Sequence, residues 1–244
     1  DNNWDPLADQ TVNVTVVDDD TASFSLNKAT STVPENAGTD TFTVVLDKQP
    51  QSDVVFNISS SAPTQATVSV STLTFTTANW NTPQIVTITG VNDNHLGDDA
   101  STITISVDDA LSDNNWDPLA DQTIAVTVTN DDTAGFTVTE SAGNTTVTEG
   151  GATDSFTVVL TAQPATDVVI DVSSNDTGAA TISPSSLTFT NANWNTPQTI
   201  TVSPVDDNDV VNETPTVTLT INDGSSDNNW DPLADQTVNV TVVD

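Results

Sequence analysis

The sequence predicts an all-β fold, built as tandem antiparallel β-sandwiches. Apolar side chains alternate at the two-residue strand period, and no 3.6-residue helical period is sustained anywhere. The composition is dominated by Thr, Val, Asp and Asn, which suit strands and turns and are poor helix formers. Long strings recur at domain-sized intervals, the mark of internal duplication.

The duplication sets the domain plan. DNNWDPLADQT begins at Asp1, Asp113 and Asp227, so its copies lie 112 and 114 residues apart. TFTVVL from Thr41 answers SFTVVL from Ser155, and ANWNTPQ occurs from Ala78 and again from Ala192. The two-residue difference falls near Gly143 and Asn144, in a predicted loop. The sequence therefore predicts one sandwich over residues 19–132 and a second over 133–244. Residues 1–18 and 227–244 are identical letter for letter. The expectation is a window onto a longer array with a 226-residue unit, in which 1–18 is the final strand of a preceding repeat. Within this chain both repeats own a last strand, so 11–17 is expected to pair with a neighbouring copy.

Each repeat reads as about seven strands, here A to G. In the first they are expected near 22–26, 41–46, 53–59, 72–76, 84–91, 101–107 and 122–129. Thr41, Thr43 and Val45 share one face of strand B, and Phe42, Val44 and Leu46 the other. Ile103, Ile105 and Val107 align on F, and Ile124, Val126 and Val128 on G. Such a Val, Ile, Leu and Phe core is large enough for a domain of this size without disulfides. The chain has no cysteine to form them, which also excludes zinc–thiolate chemistry.

Charge narrows the function. Thirty-five acidic residues face two lysines and no arginine, a formal net charge of −33. Such a surface repels nucleic acid and anionic membranes. No apolar run approaches the ~20 residues of a membrane-spanning helix. Catalysis is not expected either: His95 has Asp209 at the matching place in the second repeat, and Cys, Tyr and Arg are missing. Paired carboxylates that hydrolyse glycosides need a lined cleft, whereas these acids fall in repeated polar loops.

The acids concentrate at one pole. In a seven-stranded sandwich the A–B, C–D and E–F loops share the end from which strand G exits. That end carries Glu35, then Asp93, Asp98 and Asp99 in the E–F loop, then Asp131 and Asp132 after strand G. The second repeat supplies Glu149, Asp206, Asp207 and Glu213, with Asp244 at the terminus. Carboxylates gathered without Lys or Arg repel one another. An all-oxygen set of this size suits calcium, which takes six to eight oxygens. At the opposite, entry end lie Trp80 and Trp116, with Trp194 and Trp230 equivalent. Repetition of the pair with Pro83 and Pro118 favours a plug over the core rather than a sugar-stacking platform.

These features resemble the Calx-β domains, and equally the extender repeats of bacterial RTX-type adhesins. The resemblance rests on the Glu after strand A, the L-T-F strand at 73–75, the W-x-T-P-Q entry at 80–84, the V-D-D-N loop at 205–208 and the acidic exit. It covers both repeats and implies immunoglobulin-like, Calx-β-like sandwiches. It also implies calcium on Glu35, Asp93, Asp98, Asp99, Asp131 and Asp132, and on Glu149, Asp206, Asp207 and Glu213. The chain departs from the pattern at Asn92 and Asn130, which stand where an Asp is usual, and in a C–D loop that offers only Asp176. Six N-x-S/T sequons, at Asn13, Asn57, Asn144, Asn175, Asn212 and Asn239, are candidate glycosylation sites.

The function expected from this is structural: a calcium-rigidified spacer of a long extracellular protein or fibre on a bacterial surface, partnered by neighbouring repeats or identical chains. Repetition carries that expectation, because reach needs many copies and chemistry needs one good site. The alternatives are a calcium-dependent adhesin module and a self-assembling filament that exchanges strands between chains.

Overall fold

The computed structural model describes residues 8–17, 19–208 and 210–244. Among them the chain forms two β-sandwiches of nine strands each. The first contains β1 (Phe24–Leu26), β2 (Thr30–Pro34), β3 (Thr39–Leu46), β4 (Val54–Ser60), β5 (Ala66–Val68), β6 (Thr72–Phe75), β7 (Gln84–Gly90), β8 (Asp99–Val107) and β9 (Gln122–Thr129). One sheet runs β1-β3-β7-β5 and the other β2-β9-β8-β4-β6. The second repeats the plan with β10 (Phe136–Glu140), β11 (Thr145–Thr148), β12 (Asp154–Leu160), β13 (Val168–Ser174), β14 (Ala180–Ser183), β15 (Ser186–Phe189), β16 (Gln198–Pro204), β17 (Thr216–Ile221) and β18 (Gln236–Val243). Its sheets run β10-β12-β16-β14 and β11-β18-β17-β13-β15.

The all-β sandwich is thus as expected, with two strands more per repeat. The A–B segment is not a plain loop. Its residues 30–34 form β2, which crosses to the other sheet and pairs in parallel with β9, Val33 opposite Val128. β11 does the same with β18. The split lets one segment seal an edge of both sheets, since β1 pairs with β3. The other added strand, β5, is a three-residue edge beside β7.

Alternation explains the packing. On β3, Phe42, Val44 and Leu46 are buried, as are Ile103 and Ile105 on β8 and Ile124, Val126 and Val128 on β9. Phe24, Phe56 and Phe75 stack through the first core, with ring centroids 4.6 and 5.9 Å apart. Complete burial of each such side chain contributes about 1.5–3 kcal/mol. Each sandwich holds its own apolar cluster, and Leu96 of the first repeat packs against the cluster of the second. Trp116 and Trp230 are buried and Trp80 and Trp194 half-buried against these clusters, so the tryptophans plug the entry end.

The first Asp of the repeated DNNWDP string is structural. Asp113 Oδ2 accepts the backbone N–H groups of Gln51 at 2.6 Å and Ser52 at 3.1 Å, while Oδ1 accepts that of Asn115. Asp227 does the same for Ala165, Thr166 and Asn229. Residues 8–17 adopt no strand, and Val12, Val14, Val16 and Val17 are each at least 79% exposed. Residues 1–7, 18 and 209 lie outside the described residues, including part of the 1–18 segment and the counterpart of His95.

Candidate metal centre

Three chain segments converge at the exit pole of the first sandwich. β2 ends at Pro34, and the next N–H, that of Glu35, donates to the carbonyl of Thr129 at 3.1 Å. The end of β9 thereby fixes Glu35, which is only 1% exposed. β7 stops at Gly90 on the same pole and delivers Asp93. The chain leaving β9 delivers Asp132. One carboxylate oxygen each from Glu35, Asp93 and Asp132 falls within 4.8 Å of the others. Asp93 and Asp99 form a second, overlapping group with His95 on the same scale.

The electrostatics are those of carboxylates short of counter-charge. Burial pushes the Glu35 carboxyl above its ordinary value, and the charges of Asp93 and Asp132 add to it, although the Asp131 N–H bond opposes them. Burial likewise raises Asp132, with Asp131 and Asp93 contributing. Asp99 is raised by burial and by Asp93. Burial also acts to raise Asp93, but the His95 backbone N–H and the Asp99 carboxyl outweigh it and leave Asp93 lowered. Asp132 Oδ2 is buried and accepts no hydrogen bond, an arrangement that a bound cation satisfies.

Asp98 and Asp131 lie at the same pole with a different task. Asp98 Oδ1 accepts the Asn130 N–H at 3.0 Å, and Asp131 Oδ2 accepts Asn36 Nδ2 at 2.7 Å. Both brace the exit of β9 rather than join the three-carboxylate group. His95 is the contributor that the sequence pattern did not single out; its place between Asp93 and Asp99 was the available signal.

The second sandwich builds a counterpart from Glu149, Asp207 and Glu213, again within 4.8 Å. Here the Glu149 N–H donates to Val243 at the end of β18. Glu213 exchanges both backbone hydrogen bonds with Val242, at 3.2 and 2.9 Å. Glu149 Oε1 is buried without a hydrogen-bond partner. Asp206 is exposed and outside the group. The six sequon asparagines are all exposed; Asn57 and Asn239 project from β4 and β18, and the other four lie in loops or in the segment before β1.

An all-oxygen group with too little positive charge suits a hard cation. Glu35, Asp93 and Asp132 would hold one in the first repeat, and Glu149, Asp207 and Glu213 one in the second. The remaining oxygens would come from water or neighbouring carbonyls.

No family model and no curated protein matches the chain. Among solved structures it is similar to the calcium binding domain CBD12 of CALX1.1, at 14% identity over 90% of this chain and 99% of that one, with a TM-score of 0.37. CBD12 from CALX1.2 matches at 16% identity over 80% and 79%, TM-score 0.33. Domains 4 and 5 of the S-layer protein SbsC match at 17% identity over 92% and 100%, TM-score 0.36. Likenesses this distant assign no function.

Proposed function

We propose that the chain is a structural repeat of a long extracellular bacterial surface protein or fibre, of the Calx-β-like or RTX-adhesin extender kind, stiffened by calcium. One observation carries the proposal: at the exit pole, a buried carboxylate from β2's end and half-buried ones from the β7–β8 loop and the linker after β9 meet within 4.8 Å. A cation held there ties the linker to the sandwich before it. The boundaries follow at 19–132 and 133–244, with 1–18 the last strand of a preceding repeat. Calcium fits better than magnesium because loop carboxylates form an adaptable cage, and magnesium demands near-ideal octahedral geometry.

Small-angle scattering of the whole chain, with calcium and with chelator, tests this. Stripping the cation should shorten the maximum dimension and broaden the distance distribution through bending about residues 130–134. An unchanged, already extended profile would make calcium irrelevant to stiffness.

A second reading, strand exchange between chains, is favoured by residues 11–17. They repeat the sequence of 237–243, whose Val238, Val240 and Val242 are buried, yet they expose Val12, Val14 and Val16. A neighbouring sandwich lacking its last strand would bury them.

A further inference from the structure

The junction between the two sandwiches shows how one repeat seats on the next. The β7–β8 loop of the first is the plug. Its Asn94 carbonyl accepts the Gln163 N–H at 2.6 Å, and His95 bridges to Gln163. Leu96 packs on the second core beside Ala134 and Leu233. Ala162, next to Gln163, is completely buried.

Both halves of this contact occur again at the chain's two ends. The sequence register makes Ala22, Lys48, Gln49, Trp116 and Leu119 the first sandwich's counterparts of Ala134, Ala162, Gln163, Trp230 and Leu233. Ala22, Lys48, Gln49 and Trp116 line an open concavity. At the far pole, Asn208 and Val210 correspond to Asn94 and Leu96, and Val210 is 86% exposed where Leu96 is partly buried. We infer that the entry pole of the first sandwich is the socket for the exit loop of a second copy of this chain, docked as the first sandwich docks on the second. Val210 takes Leu96's place and Asn208 accepts from the Gln49 N–H.

Lys48 lines the socket in a salt bridge with Asp20, and reversing its charge would set like charges against Asp206 and Asp207 of the incoming loop. Residues 10–17 reproduce β18, so they either take the β18 slot of the docked copy or turn aside; the loop contact is the same in both cases. A head-to-tail contact of this kind builds an open fibre when its rotation does not close into a ring. The inference deepens the spacer reading by naming the contact between units, and it does not depend on the metal.

Sedimentation velocity of the whole chain in calcium tests it, together with amide-shift mapping of a ¹⁵N-labelled chain titrated with unlabelled chain. The expected result is concentration-dependent association, with shifts at Ala22, Gln49 and Val210. Val210→Asp should weaken it at least tenfold, and Lys48→Glu should weaken it most at low salt. A chain that stays monomeric to roughly 1 mM overturns the inference. So does association that maps to the sheet faces or survives Val210→Asp. Val210→Asp should still melt higher with calcium than with chelator, so failure of the spacer reading would show separately.

Discussion

The backbone N–H of Asp131 donates to Glu35 Oε1 at 2.7 Å, joining the linker to a carboxylate 96 residues earlier. Glu35 therefore holds the linker by one oxygen and faces Asp93 and Asp132 with its charge. Glu35→Gln should separate these roles. Glutamine keeps an acceptor for Asp131 but removes the charge that burial and repulsion disfavour. In chelator the variant should melt at or above the parent. In calcium it should lose affinity by about tenfold or more, equivalent to ~1.4 kcal/mol. Calorimetry with and without calcium gives both signs, and a calcium-induced rise in melting temperature equal in variant and parent would remove Glu35 from the site.

The parent should itself respond to the metal. A ligand bound only by the native state adds about 2.7 kcal/mol at a hundredfold excess over Kd. Each kcal/mol moves the melting temperature by roughly 4–8 °C in a domain of about 60–100 residues and by about 2–4 °C in one of about 150–250, and these repeats fall between. Millimolar calcium should therefore raise the transition well clear of experimental scatter. A transition that is the same in calcium and EDTA would show that the carboxylates bind no ion.

Asp113 and Asp227 should behave in the opposite way. Each is buried and receives three backbone N–H groups from the strands' entry loops. Hydrogen bonds to charged groups contribute about 1.5–3 kcal/mol each. Asp227→Ala should cost several kcal/mol in the second sandwich, with the same loss in calcium and in EDTA. A calcium-dependent loss would make Asp227 part of a metal site rather than a loop brace.

The pH response without metal follows from the two groups of acids. Asp113 and Asp227 remain below the ordinary carboxylate value because their N–H bonds outweigh burial. Asp40 is lowered to about 2 by Lys28 and Ser31. These groups stabilise the fold above the ordinary value near 3.8, and that stability is lost as pH falls through their lowered values. Glu35, Asp99 and Asp132 are raised, so the folded state binds more protons than the unfolded one just above the ordinary range. Their effect is a loss of stability as pH rises through the raised values. In chelator, stability should peak at mildly acidic pH and decline toward neutrality. Calcium should remove that decline, as melting curves between pH 3 and 8 can show.

Much of the fold was legible because β3, β8 and β9 bury every second side chain. β2 and β5 were not, for physical reasons. TSTVP buries only Ser31 and Val33, and its partner β9 lies about ninety residues away. ATV is too short to show a period. The acidic pole could be read from loop order alone. Sequence could not separate Asp93 and Asp132, which face Glu35, from Asp98 and Asp131, which cap N–H and amide donors; the difference lies in side-chain direction. The brace made by Asp113 was hidden too, since its partners Gln51 and Ser52 are more than sixty residues upstream.

Gly90 controls how closely β7 can approach the site. Its N–H donates to the Gly38 carbonyl at 2.9 Å. A Cβ placed on it would lie 2.2 Å from the Pro34 carbonyl oxygen and 3.1 Å from Glu35 Cα. These are backbone atoms of the segment that β9 pins in place, so they cannot rotate aside as a side chain would. Gly90→Ala must push β7 and the Pro34–Glu35 segment apart, at a cost of about 1–3 kcal/mol for an overpacked interior. The same displacement carries Glu35 away from Asp93, which follows Gly90 on the chain. The variant should therefore lower both the melting temperature of the first sandwich and its calcium affinity. Gly224→Ala is the control: its nearest neighbour would be Asn222 Oδ1 at 3.8 Å, an ordinary contact. Calcium titrations of both variants by calorimetry decide the point. Full affinity in a destabilised Gly90→Ala would show that the approach of β7 to Glu35 serves packing alone.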